Sequence, residues 1–517
     1  MKYKIIAAFI ITGSIYLSGC TKKFDDLNTD KTKLTVLGPA EYPFLFSKAQ
    51  SAASYKYADY QVAQNLFADL YAQYYATTAT YFPSDRYTIV NDWLPGHWLP
   101  QYTEVVPQLK TLINNTATSS PENALANVWW VWSFHRVTDY YGPIPYFSAG
   151  EPLSSIPYDA QDKIYDDFFK RLNAAITVLK SSTSATPYGN FDLIYSGDVA
   201  KWIKFANTLK LRLALRISKA DPARAKTEAE SAVASGVMLS TGDDAYMVTT
   251  PAGNDANGLA GIAGWNEFRM SATMESVLKG YNDPRMGVFF QPASATGTYE
   301  GLRNGLTATQ LVGNPLNSND NNSNVGTRWV TGSGANWNNN LSTPRDIMHA
   351  AEAYFLRAEG ALLGWNMGGT AQQMYEKGIE TSMNQWGITN AAAIASYTAS
   401  TNTPIAPADA MASPAVNNFP VKWDVDPVMN LKQIAQQKWL ALFPDGFEAW
   451  ADLRRMGVLQ QYPVVNSENP DLPVGTRIRR IPFIDLEKNT NKAAVEAAIP
   501  LIGGPDKAST KLWWDKN

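Results

Sequence analysis

The sequence predicts a mostly α-helical fold, in which four helix pairs similar to tetratricopeptide repeats form an αα superhelix that supports an irregular, loop-rich half. Three observations lead to this prediction. Apolar side chains recur three and four positions apart in eight stretches of the chain. Small residues at Ala351, Ala358 and Gly360, with a Tyr375-to-Ile379 spacing downstream, are typical of closely packed helical repeats. Residues 239–343, in contrast, are rich in Gly, Asn, Ser and Thr and have no helical period.

The helical period is clearest where a single apolar stripe runs the length of a segment. Ile164, Phe168, Leu172, Ile176 and Leu179 follow one another at helical spacing. Asp221-Pro222 is a typical helix start, because proline is tolerated at the first helical position. The eight predicted helices, in pairs, are residues 41–77 and 99–114, 121–139 and 158–181, 198–217 and 222–235, and 345–364 and 371–386.

The beginning of the chain predicts secretion and a lipid anchor. Lys2 and Lys4 precede an apolar run over residues 5–17, which is shorter than the roughly 20 residues that span a bilayer. The run ends in Leu17-Ser18-Gly19-Cys20, which resembles the lipobox of bacterial lipoproteins. We therefore expect a signal peptide over residues 1–19, lipidation at Cys20, a polar tether over 20–38 and a single domain over 39–517. The alternative is an ordinary signal peptide with an incidental cysteine.

Outside the helix pairs, the sequence predicts long irregular segments. Residues 239–343 and 391–423 are expected to be insertions without regular structure, and loops of such length are usually functional. Helix is expected again at residues 428–442 and 447–455, followed by an extended tail from Pro470.

Composition excludes some classes of function and favours others. Cys20 is the only cysteine, so no intramolecular disulfide and no thiolate metal site can form. The formal net charge is −3 and there is no basic run, so nothing indicates nucleic-acid binding. The chain has 16 Trp and 26 Tyr. Buried indole and phenol groups need hydrogen-bond partners, so this number of rings suggests that some lie on a binding surface.

Several motifs, in order and spacing, resemble the SusD/RagB-type outer-membrane lipoproteins of Bacteroidetes, in particular their SusD-like second branch. Besides the lipobox, they are DYYGPIPY at residues 139–146, IYDDF at 164–168, GDVAKWIKFAN at 197–207, QKWLALFPDGFEAW at 437–450 and RRIP at 479–482. The resemblance covers nearly the whole chain. It implies a protein anchored at the cell surface, four helix pairs beside a ligand-binding half, and a SusC-like TonB-dependent transporter that the lipoprotein caps as a hinged lid.

The resemblance also implies glycan binding through aromatic rings, with polar neighbours that bond the sugar hydroxyls. Two segments offer this mixture of side chains. In the first of them, Trp98 has an alternative role, as part of a helix that packs in the core. The candidate ligand-binding residues are Tyr81, Arg86, Asp92, Trp93 and Trp98 in the first segment, and Trp265, Tyr281, Trp329, Trp337 and Asn338 in the second.

Other functions find less support in the sequence. The same architecture could carry peptide or another nutrient. A glycoside hydrolase needs two carboxylates facing each other across a sugar, and Glu352 and Glu359 are expected to form a solvated helix stripe instead. His97, His135 and His349 are too scattered for a metal site or a triad, so no enzymatic activity and no cofactor are predicted. The Asn-rich run at residues 317–324 could offer oxygen ligands to calcium, but it lacks the EF-hand order and is expected to be a polar loop.

Overall fold

The computed structural model describes residues 37–252, 254–332 and 336–517. The predicted signal peptide, Cys20 and most of the predicted tether therefore lie outside the described residues. The chain divides into two units, residues 1–43 and residues 44–517, and apart from the first two residues of α1 the elements discussed below belong to the second. Among the described residues, none of the helices has the length and apolar character needed to cross a bilayer.

The described chain is mostly α-helical, as predicted. The helices are α1 (Tyr42–Ala53), α2 (Tyr57–Tyr60), α3 (Pro95–Leu99), α4 (Val106–Asn115), α5 (Pro121–Tyr141), α6 (Gln161–Lys180), α7 (Val199–Arg216), α8 (Pro222–Ser235), α9 (Gly258–Ala263), α10 (Ala272–Gly280), α11 (Met286–Phe289), α12 (Ala308–Gly313), α13 (Ala350–Leu362), α14 (Ala371–Gln385), α15 (Ala391–Thr398), α16 (Pro427–Ala441), α17 (Gly446–Met456), α18 (Asp485–Thr490) and α19 (Lys492–Ile502). Wider π-helical turns continue α2 over Gln61–Asp69 and connect α3 to α4 over Pro100–Val105.

The strands are short and form three antiparallel pairs. They are β1 (Tyr75–Thr77) with β3 (Phe268–Met270), β2 (Ala245–Met247) with β6 (Arg345–Met348), and β4 (Val330–Thr331) with β5 (Asn338–Asn339).

The second and third helix pairs lie within a few residues of their predicted positions, because side-chain caps define their starts. Ser120, Asp198 and Asp221 each accept a hydrogen bond from the backbone N–H three residues on. Gly142, with φ of 86°, ends α5 in a conformation that disfavours other residues.

The fourth pair begins later than predicted. Residues 345–348 form β6 instead of the first turn of a helix, because they pair with β2, and α13 starts after His349. Within the pair, a Cβ on Gly378 would lie 2.8 Å from the ring of Phe355, so α13 and α14 approach as closely as a glycine permits.

Three predictions of irregular structure are wrong in part. The insertion at 239–343 contains the helices α9 to α12 and the strands β2 to β5. The insertion at 391–423 starts with the helix α15, and the tail beyond residue 470 contains α18 and α19. These helices are short, and each was too brief to show a clear period in the sequence.

Glu352 and Glu359 do not form a solvated stripe. Glu352 is 2% exposed and pairs with Arg212 at 2.5 Å, while Glu359 is bound by both terminal nitrogens of Arg455. The sequence shows only the helical spacing of these carboxylates, whereas their partners come from other helices. Burial of such charges is tolerated because each is paired.

Asp69 is a buried carboxyl that has no cationic partner within the described part of the chain. Its two oxygens accept hydrogen bonds from Tyr60 Oη at 2.9 Å and Gln64 Nε2 at 3.0 Å. Burial raises the pKa of Asp69 to about 7. The pKa of this carboxyl in the unfolded chain lies near 4, so between pH 4 and pH 7 Asp69 holds a proton in the folded protein that it has lost in the unfolded chain. The contribution of Asp69 to the free energy of unfolding therefore declines as pH rises from about 4 to about 7.

We therefore expect Asp69→Asn to remove this decline, because the amide does not ionise. Between pH 4 and pH 8 the free energy of unfolding of the variant should rise relative to wild type by roughly 2–4 kcal/mol. Urea titrations of both proteins at the two pH values measure the difference. A difference that stays constant with pH would contradict the raised pKa of Asp69.

Candidate ligand-binding site

The pairing of β1 with β3 brings the two predicted binding segments together. The register places Thr77, at the end of β1, opposite Phe268, at the start of β3. In an antiparallel pair, the segment that leaves one strand lies beside the segment that enters the other. Tyr81 and Trp265 therefore emerge at the same edge, although they are far apart in the sequence.

Glu267 joins the two segments. Its carboxylate accepts a hydrogen bond from Tyr81 Oη and another, at 2.5 Å, from Gln61 Nε2. Its backbone oxygen accepts from the N–H of Thr78 at 2.9 Å. The hydrogen bond to Glu267 raises the pKa of Tyr81 to about 12, so this phenol stays protonated at neutral pH.

Exposed rings continue on both sides of Glu267. Tyr81 is 65% exposed and contacts Phe82 edge to face at 4.7 Å, and Phe82 in turn supports the half-buried Trp93 at 5.5 Å. Trp265 is 45% exposed and lies against Tyr57 at 6.1 Å. We refer to Tyr81, Trp93 and Trp265 as the aromatic face.

A polar cleft of about 170 Å³ opens beside Trp337 and Asn266, the residue that follows Trp265. Trp337, just before β5, lies close to the backbone of Gly264, where a Cβ would be 3.2 Å from the Trp337 Cβ. Amides are the commonest side chains around this polar cleft. They are Asn266, Gln291, Asn319, Asn322 and Asn324, and they lie beside Arg269 and Asp320.

Two groups at the polar cleft are buried without a partner among the described residues. They are the indole N–H of Trp337, a donor, and the side-chain oxygen of Asn319, an acceptor. Buried polar atoms usually have partners. An unsatisfied donor and acceptor at one cleft indicate a site completed by water or by a ligand that offers both kinds of group.

Arg269 adds a positive charge beneath the polar cleft. It is 3% exposed, donates to Asn266 Oδ1 at 2.7 Å and to the Asn319 carbonyl at 3.1 Å, and has no carboxylate within 4.0 Å among the described residues. Burial lowers the pKa of Arg269 to about 10, so the side chain remains charged at neutral pH. A cation held in this way attracts electron-rich oxygen atoms.

The structure places six of the ten predicted residues at or near the protein surface. Tyr81, Asp92, Trp265 and Asn338 are exposed, while Trp93 and Trp337 are half-buried. Of these, Tyr81, Trp93 and Trp265 belong to the aromatic face and Trp337 to the polar cleft.

The other four are buried, which corrects the sequence analysis at these positions. Arg86 pairs with Glu468 at 2.5 Å, and Trp98 packs against Tyr102 at 4.6 Å, as the core alternative for Trp98 allowed. Tyr281 donates to the carbonyl of Phe419 at 3.0 Å. Trp329 is 0% exposed and lies between the rings of Trp386 and Phe443. In this conformation their side chains contact other parts of the chain and are shielded from solvent.

Sequence reasoning missed Glu267, Arg269 and the amides of residues 319–324. The Asn-rich run was predicted to be a polar loop, and it does form turns, including a 3-10 turn at Asn319–Asn321. Its amides hold the loop in place, since Asn322 Nδ2 donates to the carbonyls of Leu316 and Ser318. The high frequency of Asn in residues 317–324 was the feature of the sequence that could have indicated these amides.

The histidines occupy structural positions. His97 and His135 are buried, and burial lowers the pKa of each well below its usual value. Burial alone would also lower the pKa of His349, but Asp244 and Asp346 outweigh it and raise that pKa to about 9. Across the described ranges, no three His, Cys, Asp or Glu side chains are grouped so as to hold a metal ion.

The structure combines helix pairs with a loop-rich half that presents exposed rings beside an amide-lined cleft. A sequence model described as "Susd and RagB outer membrane lipoprotein" matches residues 29–515. The chain therefore belongs to the SusD-like family.

Solved structures of this family are similar to the chain over nearly its whole length. A chitin-binding SusD homologue from Flavobacterium johnsoniae is 35% identical, with a TM-score of 0.84 over 93% of this chain and 99% of that one. A SusD-like protein from Bacteroides thetaiotaomicron is 33% identical, with a TM-score of 0.81 over 92% and 99%. A SusD homologue from Bacteroides vulgatus is 29% identical, with a TM-score of 0.83 over 92% and 98%. A comparison with curated proteins finds no match.

Proposed function

We propose that the protein is a non-enzymatic, glycan-binding lipoprotein, anchored in the outer membrane through Cys20 and exposed at the cell surface. The observation that carries the proposal is the aromatic face beside the polar cleft, in a chain whose 35% identical relative is described as chitin-binding. The aromatic face and Trp337 contain four of the six predicted binding residues that are exposed or half-buried.

The chemistry of the site suits a sugar polymer. The C–H face of a pyranose is apolar and flat, and it packs on exposed rings such as those of Trp265 and Tyr81. Sugar hydroxyls both donate and accept hydrogen bonds. The Trp337 indole N–H and the Asn319 side-chain oxygen, which have no partner among the described residues, can donate to and accept from such hydroxyls. An N-acetyl group would also satisfy both, because an amide has one acceptor and one donor.

Rigidity also favours binding at this site. Glu267 holds Tyr81 by a hydrogen bond, Tyr57 supports Trp265, and Phe82 supports Trp93. Side chains held in place before the ligand arrives lose less conformational entropy on binding.

Affinity electrophoresis and calorimetry with the purified protein test the proposal. The panel should contain hexamers of N-acetylglucosamine, of β-1,4-linked glucose and of β-1,4-linked xylose, together with starch and a mixture of oligopeptides. We expect binding of at least one glycan and no release of shorter sugars on prolonged incubation. Binding of peptide alone, or sugar release lost on changing one carboxylate, would overturn the proposal.

We also propose that the bound glycan passes to a SusC-like TonB-dependent transporter, which the lipoprotein caps as a lid. Family membership supports this partner. Purification of the lipoprotein from outer membranes under mild detergent should recover the transporter in equal amount. Recovery of the lipoprotein without any such β-barrel partner would contradict this part of the proposal.

A further inference from the structure

A second groove lies in the helical half, formed by α14, α15 and the segment around Trp423. It has a volume of about 780 Å³ and shares no lining residue with the polar cleft. We define the α14 groove by Gln372, Glu376, Glu380 and Asn384 on one wall, Ala391, Ile394, Ala395 and Thr398 on the other, and Lys422 and Trp423 at one side.

We propose that the α14 groove is a second binding site for the same neutral glycan chain, with Trp423 as its stacking platform. This inference rests on the proposed function for the kind of ligand, but it concerns a separate set of residues.

Trp423 is held in place from several sides. Its ring lies 5.0 Å from that of Tyr375, and Tyr375 Oη donates to the carbonyl of Val421 at 2.7 Å. Lys422 N donates to the Ser400 carbonyl at 2.9 Å, and the Lys422 carbonyl accepts from Gln433 Nε2 at 2.6 Å. The ring is half-buried and its indole N–H has no partner among the described residues. A rigid ring with a free donor is suited to a sugar.

The wall along α14 supplies hydrogen-bonding groups in a row. From Gln372 to Asn384 the helix rises about 18 Å, a length that accommodates several pyranose rings. Glu376 accepts one hydrogen bond from Gln372 at 2.8 Å and Glu380 one from Lys377 at 2.9 Å, so both carboxylates retain lone pairs for hydroxyl donors. The Asn384 amide has no partner in the described part of the chain.

The opposite wall is mostly apolar, and two of its four side chains are alanines. Ala391 and Ala395 are exposed and lie one helical turn apart on α15. Small apolar residues allow the C–H face of a sugar ring, or an N-acetyl methyl group, to approach the helix closely.

Charge favours a neutral ligand in the α14 groove. The two carboxylates of Glu376 and Glu380 are balanced by Lys377 and Lys422 at the same groove. The groove therefore has no net charge that would attract a strongly acidic or strongly basic peptide. Uncharged sugar hydroxyls can form hydrogen bonds with carboxylates, amides and ammonium groups alike.

The test uses the Trp265→Ala, Trp337→Ala double variant of the purified protein, in which the first site is weakened. Calorimetry with hexamers of N-acetylglucosamine, β-1,4-linked glucose and β-1,4-linked xylose should show residual binding of the hexamer that the wild type binds. Adding Ala395→Arg, which fills the α14 groove from an exposed position, should weaken this residual binding at least tenfold. Ala392→Arg, on the same helix but outside the groove lining, is the matched control and should leave it unchanged.

The outcomes separate the two proposals. Wild-type binding with no residual binding in the double variant overturns the second site alone, as does residual binding that Ala395→Arg leaves unchanged. Absence of binding in the wild type for every glycan of the panel, starch included, overturns both. Loss of transporter co-purification in Ala395→Arg, without loss of glycan binding, would assign the α14 groove to a protein partner and also overturn the inference. Trp423→Phe provides a second variant that keeps packing on Tyr375, and we expect it to weaken residual binding less than Ala395→Arg.

Discussion

Replacement of Trp265 and Trp337 by alanine is expected to weaken glycan binding by on the order of 100-fold or more, with the fold preserved. Trp265 is 45% exposed, so its ring contributes little to the core. Buried aromatic contacts at binding sites often account for about 2 kcal/mol each, which is more than tenfold in affinity. Replacement of Trp337 also removes a hydrogen-bond donor, because its indole N–H has no partner among the described residues and is available to a ligand.

Calorimetry with the hexamer that binds best measures the effect, and circular dichroism verifies the fold. Trp513→Ala is a suitable control, because Trp513 is also half-buried but packs on Tyr165 away from both sites. The buried Trp329 supplies a contrast, since Trp329→Phe should lower stability while leaving affinity unchanged. A folded Trp265→Ala, Trp337→Ala protein with wild-type affinity would remove both rings from the binding site.

The contrast between Trp265 and Trp329 shows how far the sequence could predict the site. Both occur in the same irregular segment, and composition alone treats them alike. Trp329 is buried because Trp386 and Phe443, from later parts of the chain, pack on its ring. Trp265 stays exposed because it lies at the edge where β3 begins beside the end of β1. Burial of a loop residue depends on such distant pairings, which leave no local signal.

The helix pairs were predictable because their signals are local. Apolar spacing gave the extent of α6, and Thr370, Ser120 and Asp198 cap helices that begin within a few residues of the predicted starts. The prediction of helix at residues 345–348 was wrong because a four-residue strand has too few positions to show its period, and because its partner β2 is remote in sequence.

The Arg-Arg pair at residues 454–455 illustrates the same limit. Both residues lie in the last turn of α17, which ends before Gly457 with φ of 73°. Arg454 donates to the carbonyls of Asp139 and Arg479, and Arg455 binds Glu359 and Asp452. Both belong to an extensive set of buried charges that crosses between helix pairs.

Arg216→Met should destabilise the protein more than any surface substitution, by about 3–5 kcal/mol at pH 7. Arg216, at the end of α7, is 1% exposed and pairs with Glu448 of α17 at 2.5 Å and with Asp139 of α5 at 3.1 Å. Methionine fills a similar volume but leaves these carboxylates without their shared partner. Arg212 lies 3.6 Å from Glu448 and compensates only in part, because it is already paired with Glu352.

The loss should shrink in acid, which distinguishes an electrostatic effect from poor packing. Burial alone would raise the pKa of Glu448, but Arg216 and then Arg212 outweigh it and lower that pKa in the native protein. The stability that Glu448 contributes is therefore present above its unfolded pKa, near 4.3, and is lost as pH falls through the lower folded value. In Arg216→Met much of this contribution is already absent, so the two proteins should converge as pH falls below about 4.

Urea denaturation at pH 7 and at pH 3.5 measures both effects. Lys226→Met is the control, because Lys226 pairs with Glu230 at 3.9 Å on an exposed face of α8, where removal of a pair costs about 0.5 kcal/mol or less. A loss below about 1 kcal/mol for Arg216→Met at pH 7 would show that the buried charges are hydrated or rearranged without it. A large loss that does not change with pH would assign the effect to packing around Trp514, whose ring lies 5.4 Å from the Arg216 guanidinium. Because motifs 139–146 and 437–450 contribute Asp139 and Glu448, the expected loss links the sequence pattern of the family to the packing of its helix pairs.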